Sequence, residues 1–390
     1  MEQEIRAAVE ALVPELIALR HRIHEEPELS GHEEQTAALV AERLRVLGLA
    51  PRTGVGGHGV VAEIQGARPG PTIALRADMD ALPIEEAGSL PYRSRRQGVM
   101  HACGHDGHTT MLVGAAQVLA GLRESLPGRV RLLFQPAEET VNGAMRMCDA
   151  GAMEGVDAIV ALHGWPGVPL GTVGIREGAM MASADTFDLV VRGQGGHAAY
   201  PHRCVDPILV GAQIVQALQS IASREVDPSD PVVVSVTRFE AGTAHNVIPE
   251  TARLAGTFRT LNARTREEMP ARIERIAGQI AAAHRAACEA VFTRGAPPVL
   301  NDPGMTARIA RVAAEVVGPE GVAQVPHSSM GAEDFAFYLE HAPGAMFRLG
   351  LGDCPAIHTP SFDFDDRALA VGVELFARIA LDYLRLNREH

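Results

Sequence analysis

The chain has 390 residues, 46% of them hydrophobic, which is enough to bury a large core and argues against disorder. Its 48 acidic side chains against 35 cationic ones give a formal net charge of −13, which excludes a surface built to track nucleic-acid phosphates, since that task needs clustered cations. Every one of those cations is an arginine, so Schiff-base chemistry and lysine-dependent phosphate loops are excluded as well.

In chain order, the first 50 residues predict two helices, with Val9, Leu12, Leu16 and Leu19 at helical spacing and a break at Glu26-Pro27. This opening segment is acidic and amphipathic, and it lacks both the apolar centre of a signal peptide and any run long enough to span a bilayer. The five cysteines (Cys103, Cys148, Cys204, Cys288 and Cys354) are odd in number and scattered, unlike a disulfide framework. These features predict a cytoplasmic protein with no membrane partner.

Further along, short apolar runs alternate with helical stretches. Strands are predicted over 60–64, 72–75, 129–134 and 158–162, with a helix over 109–122, and that alternation points to an α/β fold whose mixed, largely parallel sheet is covered by helices. A second unit is predicted over 182–295. It reads as a strand at 186–191, a helix at 206–223, strands at 232–239 and 254–259 and a helix at 266–287, which suits a small α+β layer. After Pro297-Pro298 helix and strand patterns return, so the expected organisation is a catalytic domain over 1–181 and 296–390, interrupted by the smaller domain. The glycines of Gly54-Val55-Gly56-Gly57-His58-Gly59 satisfy G-x-G-x-x-G, yet they precede a strand instead of leading from strand to helix, so they predict a turn. Neither a G-x-S-x-G elbow nor H-E-x-x-H is present.

Three predicted strands end in polar groups: one reaches Asp78 and Asp80, another Glu138 and Glu139, the third His163. In open α/β sheets such ends form the crevice where ligands sit. The segment His101-Ala102-Cys103-Gly104-His105-Asp106-Gly107-His108, just before a helix, adds three imidazoles, a thiol and a carboxylate. A bend at Gly104 could aim Cys103 and His105 at one point, and thiolate with imidazole is a borderline-soft ligand set. The donors outnumber the needs of one tetrahedral ion, so two adjacent divalent ions are expected. A lone histidine before a helix is more often a cap than a ligand; here the number of converging donors outweighs that reading. Neighbours on an extended chain point to opposite sides, so Glu138 and Glu139 should take different jobs, one as ligand and one as general base, in an order the residues leave open. Asp80 is expected to orient a ligand imidazole, and Asp106 and His108 to cap the helix and pack beneath the site.

The segments RHRIHEEPEL, RADMDALP, HACGHDGHTTML, FQPAEE, ALHGWP, GGHAAYPH, HNVIP, GTFRT, GAEDFAFY and IHTP, spread in order over nearly the whole chain, resemble the co-catalytic metal aminoacylase and carboxypeptidase family. The resemblance is to the branch of hippurate hydrolases, N-acyl-amino-acid amidohydrolases and plant auxin-conjugate hydrolases. It implies a zinc-peptidase-like catalytic domain interrupted by a lid and dimerisation domain, in a homodimer or homotetramer. It implies two divalent ions (manganese, zinc, cobalt or nickel) on Cys103, His105, Glu139, His163 and His358, with Glu138 as the base, which settles the order left open above. It further implies that His197 reaches a neighbouring subunit's site to stabilise the oxyanion, and that Asn246 and Arg259 hold the substrate's carboxylate. The wider family's H-x-D motif reads Asp78-Met79-Asp80 here, with Cys103 and His105 supplying the missing coordination. The implied reaction is hydrolysis of an N-acyl amino acid to a carboxylic acid and an amino acid. The alternatives are a dipeptidase or carboxypeptidase on the same scaffold and a non-catalytic metal or amino-acid binding protein.

Overall fold

The computed structural model describes residues 2–386. The chain forms two compact units: residues up to 178 with 300–327 and 334 onward, and residues 179–299 with 328–333.

The first unit is built on an eight-stranded sheet in the order Arg52–Val55, Gly59–Gln65, Pro127–Gln135, Arg68–Asp78, Ala158–Trp165, Gly344–Gly350, Val173–Ile175, Val322–Gln324. Four central strands, Pro127–Gln135 through Gly344–Gly350, pair in parallel, so their carboxyl ends lie along one edge. Their apolar runs are unbroken because both faces are covered; Thr72 to Asp78 is buried at every position. Glu2–Glu25, His105–Gly121 and Ala368–Leu386 pack on one another over this sheet. Gly114 lets them close: a Cβ there would lie 2.8 Å from Val373 and 3.0 Å from Leu16. The predicted turn joins Arg52–Val55 to Gly59–Gln65 as a hairpin, with Gly54, Gly56 and Gly57 all at positive φ.

The second unit is a four-stranded antiparallel sheet in the order Val232–Ala241, Thr251–Thr260, Asp185–Arg192, Ala287–Thr293, with helices Pro207–Ser220 and Ala263–Ala283 packed on it. Asp206 and Asn262 cap these helices, accepting from the backbone N–H of Ile208 and Arg264. Asp185–Arg192 alternates buried and exposed positions, as expected for a sheet with one covered face. The expected helix over 266–287 ends instead at Ala283. Arg285 adopts φ 62°, and Ala287–Thr293, of which the expected helix included only Ala287, is the fourth strand, with exposure alternating along it. Among the described residues no helix is long and apolar enough to cross a membrane.

Candidate metal centre

The strand Arg68–Asp78 ends two residues before Asp80, a buried carboxylate that organises the surrounding loops. It accepts the Ser30 hydroxyl at 2.6 Å and the backbone N–H groups of Glu138 at 3.1 Å and Glu139 at 3.0 Å. Burial works against its charge, but the His105 contacts and these donors outweigh burial and hold Asp80 below the ordinary carboxylate range. The Asp80 carbonyl accepts His105 Nδ1–H at 2.9 Å, which fixes the ring and turns Nε2 into the cluster; burial opposes charge on this ring, but Asp78, Cys103 and Asp80 outweigh it and hold His105 well above the ordinary histidine value. His105 Nε2 is buried without a hydrogen-bond partner, 3.9 Å from Glu138, 3.9 Å from Glu139 and 3.7 Å from Asp78.

Glu138 and Glu139 do not point to opposite sides. The strand stops at Gln135, Ala137 takes φ 53° and Val141 φ 58°, so the two glutamates sit on a turn that brings both carboxylates toward His105. Gly104, at φ 91°, makes the bend between Cys103 and His105. Cys103 Sγ lies 3.5 Å from His163 Nε2, while His163 Nδ1–H donates to the Gly164 carbonyl at 2.8 Å. Burial first, then the neighbouring His108, holds His163 well below its ordinary value, so it is a neutral imidazole with a lone pair facing the thiol. His358, at φ 62° and half exposed, is pinned by its N–H to the Ala102 carbonyl at 2.7 Å and places Nε2 3.3 Å from Glu139 Oε1.

The structure therefore brings all five expected ligands and Glu138 into one cluster. Cys103, His105 and His163 have donor atoms within 4.8 Å of one another, as do Cys103, Glu139 and His358, and His105, Glu138 and Glu139. These overlapping triads fit a pair of divalent cations. Nitrogen, sulfur and carboxylate donors converge, and both His105 Nε2 and Glu139 Oε1 are buried with no hydrogen-bond partner, a cost that a bound cation would remove.

Asp78 and His108 meet differently. His108 Nδ1–H donates to Asp78 at 2.7 Å and its Nε2 accepts the Gly164 N–H at 2.8 Å, so neither nitrogen is left to ligate. Asp78 also takes Arg76 at 2.7 Å, and Arg76 continues to Gln135 and Asp334, a buried lattice beneath the cluster. Asp106 does not cap its helix; it pairs with Arg20 at 3.1 Å and His24 at 2.8 Å in the interior. Sequence reasoning expected Asp106 and His108 beneath the site but missed their partners; the signal available was Arg76, a charged residue two places before Asp78 inside an otherwise apolar strand.

In the second unit, Gly196–His197 pairs with Val247–Ile248, and Ala198 N–H donates to the Asn246 carbonyl at 3.0 Å, so His197 and Asn246 are neighbours. His197 Nδ1 accepts the Ala199 N–H at 3.1 Å, leaving Nε2 as its donor. Both residues are exposed. Arg259 lies far from them. His197 and Val247 form a separate two-stranded pair just beyond the end of the main ladder where Arg192 meets Thr251; that ladder then runs to Asp185 with Phe258, so Arg259 sits at its other end, eight residues or roughly 26 Å from Thr251 at about 3.3 Å per residue. Burial lowers the Arg259 guanidinium from its ordinary value, with Asp185 opposing.

The sequence pattern of the family described as peptidase family M20/M25/M40 matches residues 74–382. The chain is 45% identical over 301 residues to an N-acyl-L-amino acid amidohydrolase of Geobacillus stearothermophilus, covering 77% of this chain and 81% of that one. It is 39% identical to thermostable carboxypeptidase 2 of Saccharolobus solfataricus, over 98% of both chains. Among solved structures, a dinuclear metal binding peptidase of Bacillus subtilis superposes with a TM-score of 0.86 at 38% identity, covering 96% of this chain and 99% of that chain.

Proposed function

Since the chain belongs to peptidase family M20/M25/M40, we propose that it is a metal-dependent amidohydrolase that cleaves N-acyl amino acids into a carboxylic acid and a free amino acid. The observation that carries this reading is the buried cluster in which Glu138 stands beside five converging donor side chains. Cys103, His105, Glu139, His163 and His358 would hold two divalent ions, and their mixed sulfur, nitrogen and oxygen character suits zinc, cobalt, nickel or manganese. Such ions, when bound, polarise the scissile carbonyl and acidify water.

The remaining chemistry belongs to side chains. Glu138, 3.9 Å from His105 Nε2, takes the proton of the attacking water and delivers it to the departing amine. Asp80 holds the His105 ring and, through two backbone N–H groups, the Glu138–Glu139 turn, so one carboxylate positions both a ligand and the base. His197 Nε2–H donates to the oxyanion, and Asn246 and Arg259 recognise the substrate's α-carboxylate. Because His197 and Asn246 stand at the opposite end of their unit from Arg259, one small substrate meets all three only when two copies of the chain contribute, which supports a homodimer or a homotetramer built from dimers. The five cysteines form no disulfide among the described residues, in keeping with a cytoplasmic location.

A carboxypeptidase reading is favoured by the carboxypeptidase relative and differs only in what the acyl side of the site admits. A panel of N-acetyl, N-benzoyl and indoleacetyl amino acids against unblocked dipeptides, run on metal-loaded protein, separates the two. Turnover of blocked substrates alone supports the amidohydrolase; preference for dipeptides rejects it.

A further inference from the structure

Among the described residues, each of the five buried arginines is neutralised by a carboxylate: Arg20 by Asp106, Arg76 by Asp78, Arg131 by Glu63, Arg266 by Asp185 and Arg378 by Glu315. Arg348 breaks this pattern. It lies inside the central strand Gly344–Gly350 and is largely shielded from water, yet among the described residues no carboxylate lies within ion-pair range and its buried Nε has no acceptor. The charged neighbour it does have is another cation, Arg176; burial first, and then that repulsion, push its guanidinium down to about 10.

What Arg348 touches is an aromatic ring. Its guanidinium carbon sits 3.7 Å from the centroid of Trp165, the only tryptophan in the chain. The indole in turn packs T-shaped against the His163 ring, with centroids 5.6 Å apart at 66°. The parallel ladder pairs Arg348 with His163 and Gly350 with Trp165, so Arg348, His163 and Trp165 all project from the same face of the sheet. Stacking on a ring weakly compensates a cation without occupying its donors, which leaves the edge of the guanidinium fork for a bidentate acceptor. An unneutralised cation at this depth is costly, and a protein with 48 acidic residues has no shortage of carboxylates to place beside it.

We infer that Arg348, stacked on Trp165 and flanked by Arg176, is a carboxylate-binding subsite beside the metal centre, taking a second carboxylate of the substrate distinct from the α-carboxylate. The assignment to substrate rests on the amidohydrolase reading; the anion site itself does not. The Arg348 guanidinium sits 3.7 Å and the His163 ring 5.6 Å from the Trp165 centroid, which sets Arg348 beside a ligand residue but apart from the reacting centre, and the α-carboxylate is already assigned to Asn246 and Arg259. A carboxylate at the far end of the acyl chain or on the amino-acid side chain spans that gap.

Trp165 provides a readout independent of turnover. Metal-free protein, prepared with a chelator that is then dialysed away, is titrated with glutarate or with neutral glutaramide while its fluorescence is followed. A saturable change with glutarate that is absent with glutaramide, is lost in Arg348→Gln and persists in Arg259→Gln is the expected result. No saturable response in the unaltered protein, or an equal response to glutaramide, overturns the site. On metal-loaded enzyme, two ratios of kcat/KM locate the carboxylate: N-acetylglutamate over N-acetylglutamine for the side chain, and N-succinylmethionine over its succinamoyl counterpart for the acyl group. Arg348→Gln should lower one of these ratios about ten- to a hundredfold, corresponding to one charge-assisted bidentate contact. Equal losses on acid and amide overturn the assignment to substrate, and absence of all turnover removes the amidohydrolase reading while the fluorescence titration still decides the anion site.

Discussion

The strand-end cluster and the lid residues are both read as parts of one active site, but they are built in opposite ways. In the first unit, Asp80, His105 and His163 are buried, each ring nitrogen that is not needed outward is tied to a carbonyl, and the atoms left bare converge. In the second, His197 and Asn246 are exposed at one end of a long ladder and Arg259 lies at the other. The cations and the base, which need donors placed to a fraction of an ångström, are assigned to a rigid sheet edge, whereas oxyanion stabilisation and carboxylate recognition are assigned to groups that act only once another copy brings them together. A defect in the first region should therefore abolish turnover from within one chain, and a defect in the second should be repairable from outside.

The largest effect is expected at the base. Glu138→Ala should leave metal content near that of the parent protein while lowering kcat by about three to four orders of magnitude, because general-base assistance supplies rate and not affinity; near-normal turnover would remove Glu138 from its role. His197→Ala should cost about a hundred- to a thousandfold in kcat, the size of one lost oxyanion donor. Mixing these two inactive proteins sharpens the contrast. If His197 serves its partner's site, exchange of subunits restores one intact site per mixed dimer, or about a quarter of parental activity for random pairing. No recovery after demonstrated exchange would place His197 in its own chain's site.

Asp80→Asn is expected to cost about ten- to a hundredfold in metal affinity, since it weakens the acceptor that organises His105 and the glutamate turn; isothermal titration with Mn²⁺ or Zn²⁺ reads this directly, and unchanged affinity would show that the ring needs no such support.

The change with the smallest effect on turnover is one of stability and lies beneath the cluster. His24, whose burial alone would lower its pKa, is raised to about 9 by its hydrogen bond to Asp106 and by the Glu86 carboxylate 3.5 Å away. Its unfolded value is about 6.5, so its stabilising contribution is complete below that pH and is lost as pH rises through about 9. Asp106 works in the other direction: its carboxylate is held far below the ordinary range despite burial, and its share is lost in acid. Chemical unfolding between pH 6.5 and 9.5 should show a decline on the order of 3 kcal/mol that Gln in place of His24 largely abolishes; an identical slope in His24→Gln would contradict this.

Much of the catalytic unit was legible in the sequence because its signals are local. Apolar runs mark the parallel strands, and a polar residue at the end of each marks the crevice, so Asp80, Glu139 and His163 could be named from where their strands stop. The turn that swings Glu138 and Glu139 to the same side was hidden, because a positive φ at Ala137 is not written in an alanine. The pairing of His108 with Asp78 and of Asp106 with Arg20 and His24 was hidden as well, because partners 30, 86 and 82 residues apart meet only in the packed interior. The fourth strand of the second unit, Ala287–Thr293, was missed because its first four residues, Ala-Cys-Glu-Ala, carry no β-branched or aromatic side chain to mark a strand.

The central claim is that the convergent donors of the first unit hold catalytic cations for amide hydrolysis. The most direct measurement is metal content and hippurate or N-acetylmethionine hydrolysis on the same sample, taken as purified, after chelation, and after adding back Mn²⁺ or Co²⁺, with Cys103→Ala and His163→Ala carried in parallel. The account predicts about two ions per chain in the loaded protein, activity that disappears and returns with them, and variants that neither retain the ions nor recover. Hydrolysis that persists in the metal-free protein, or full metal content in both variants, would contradict it.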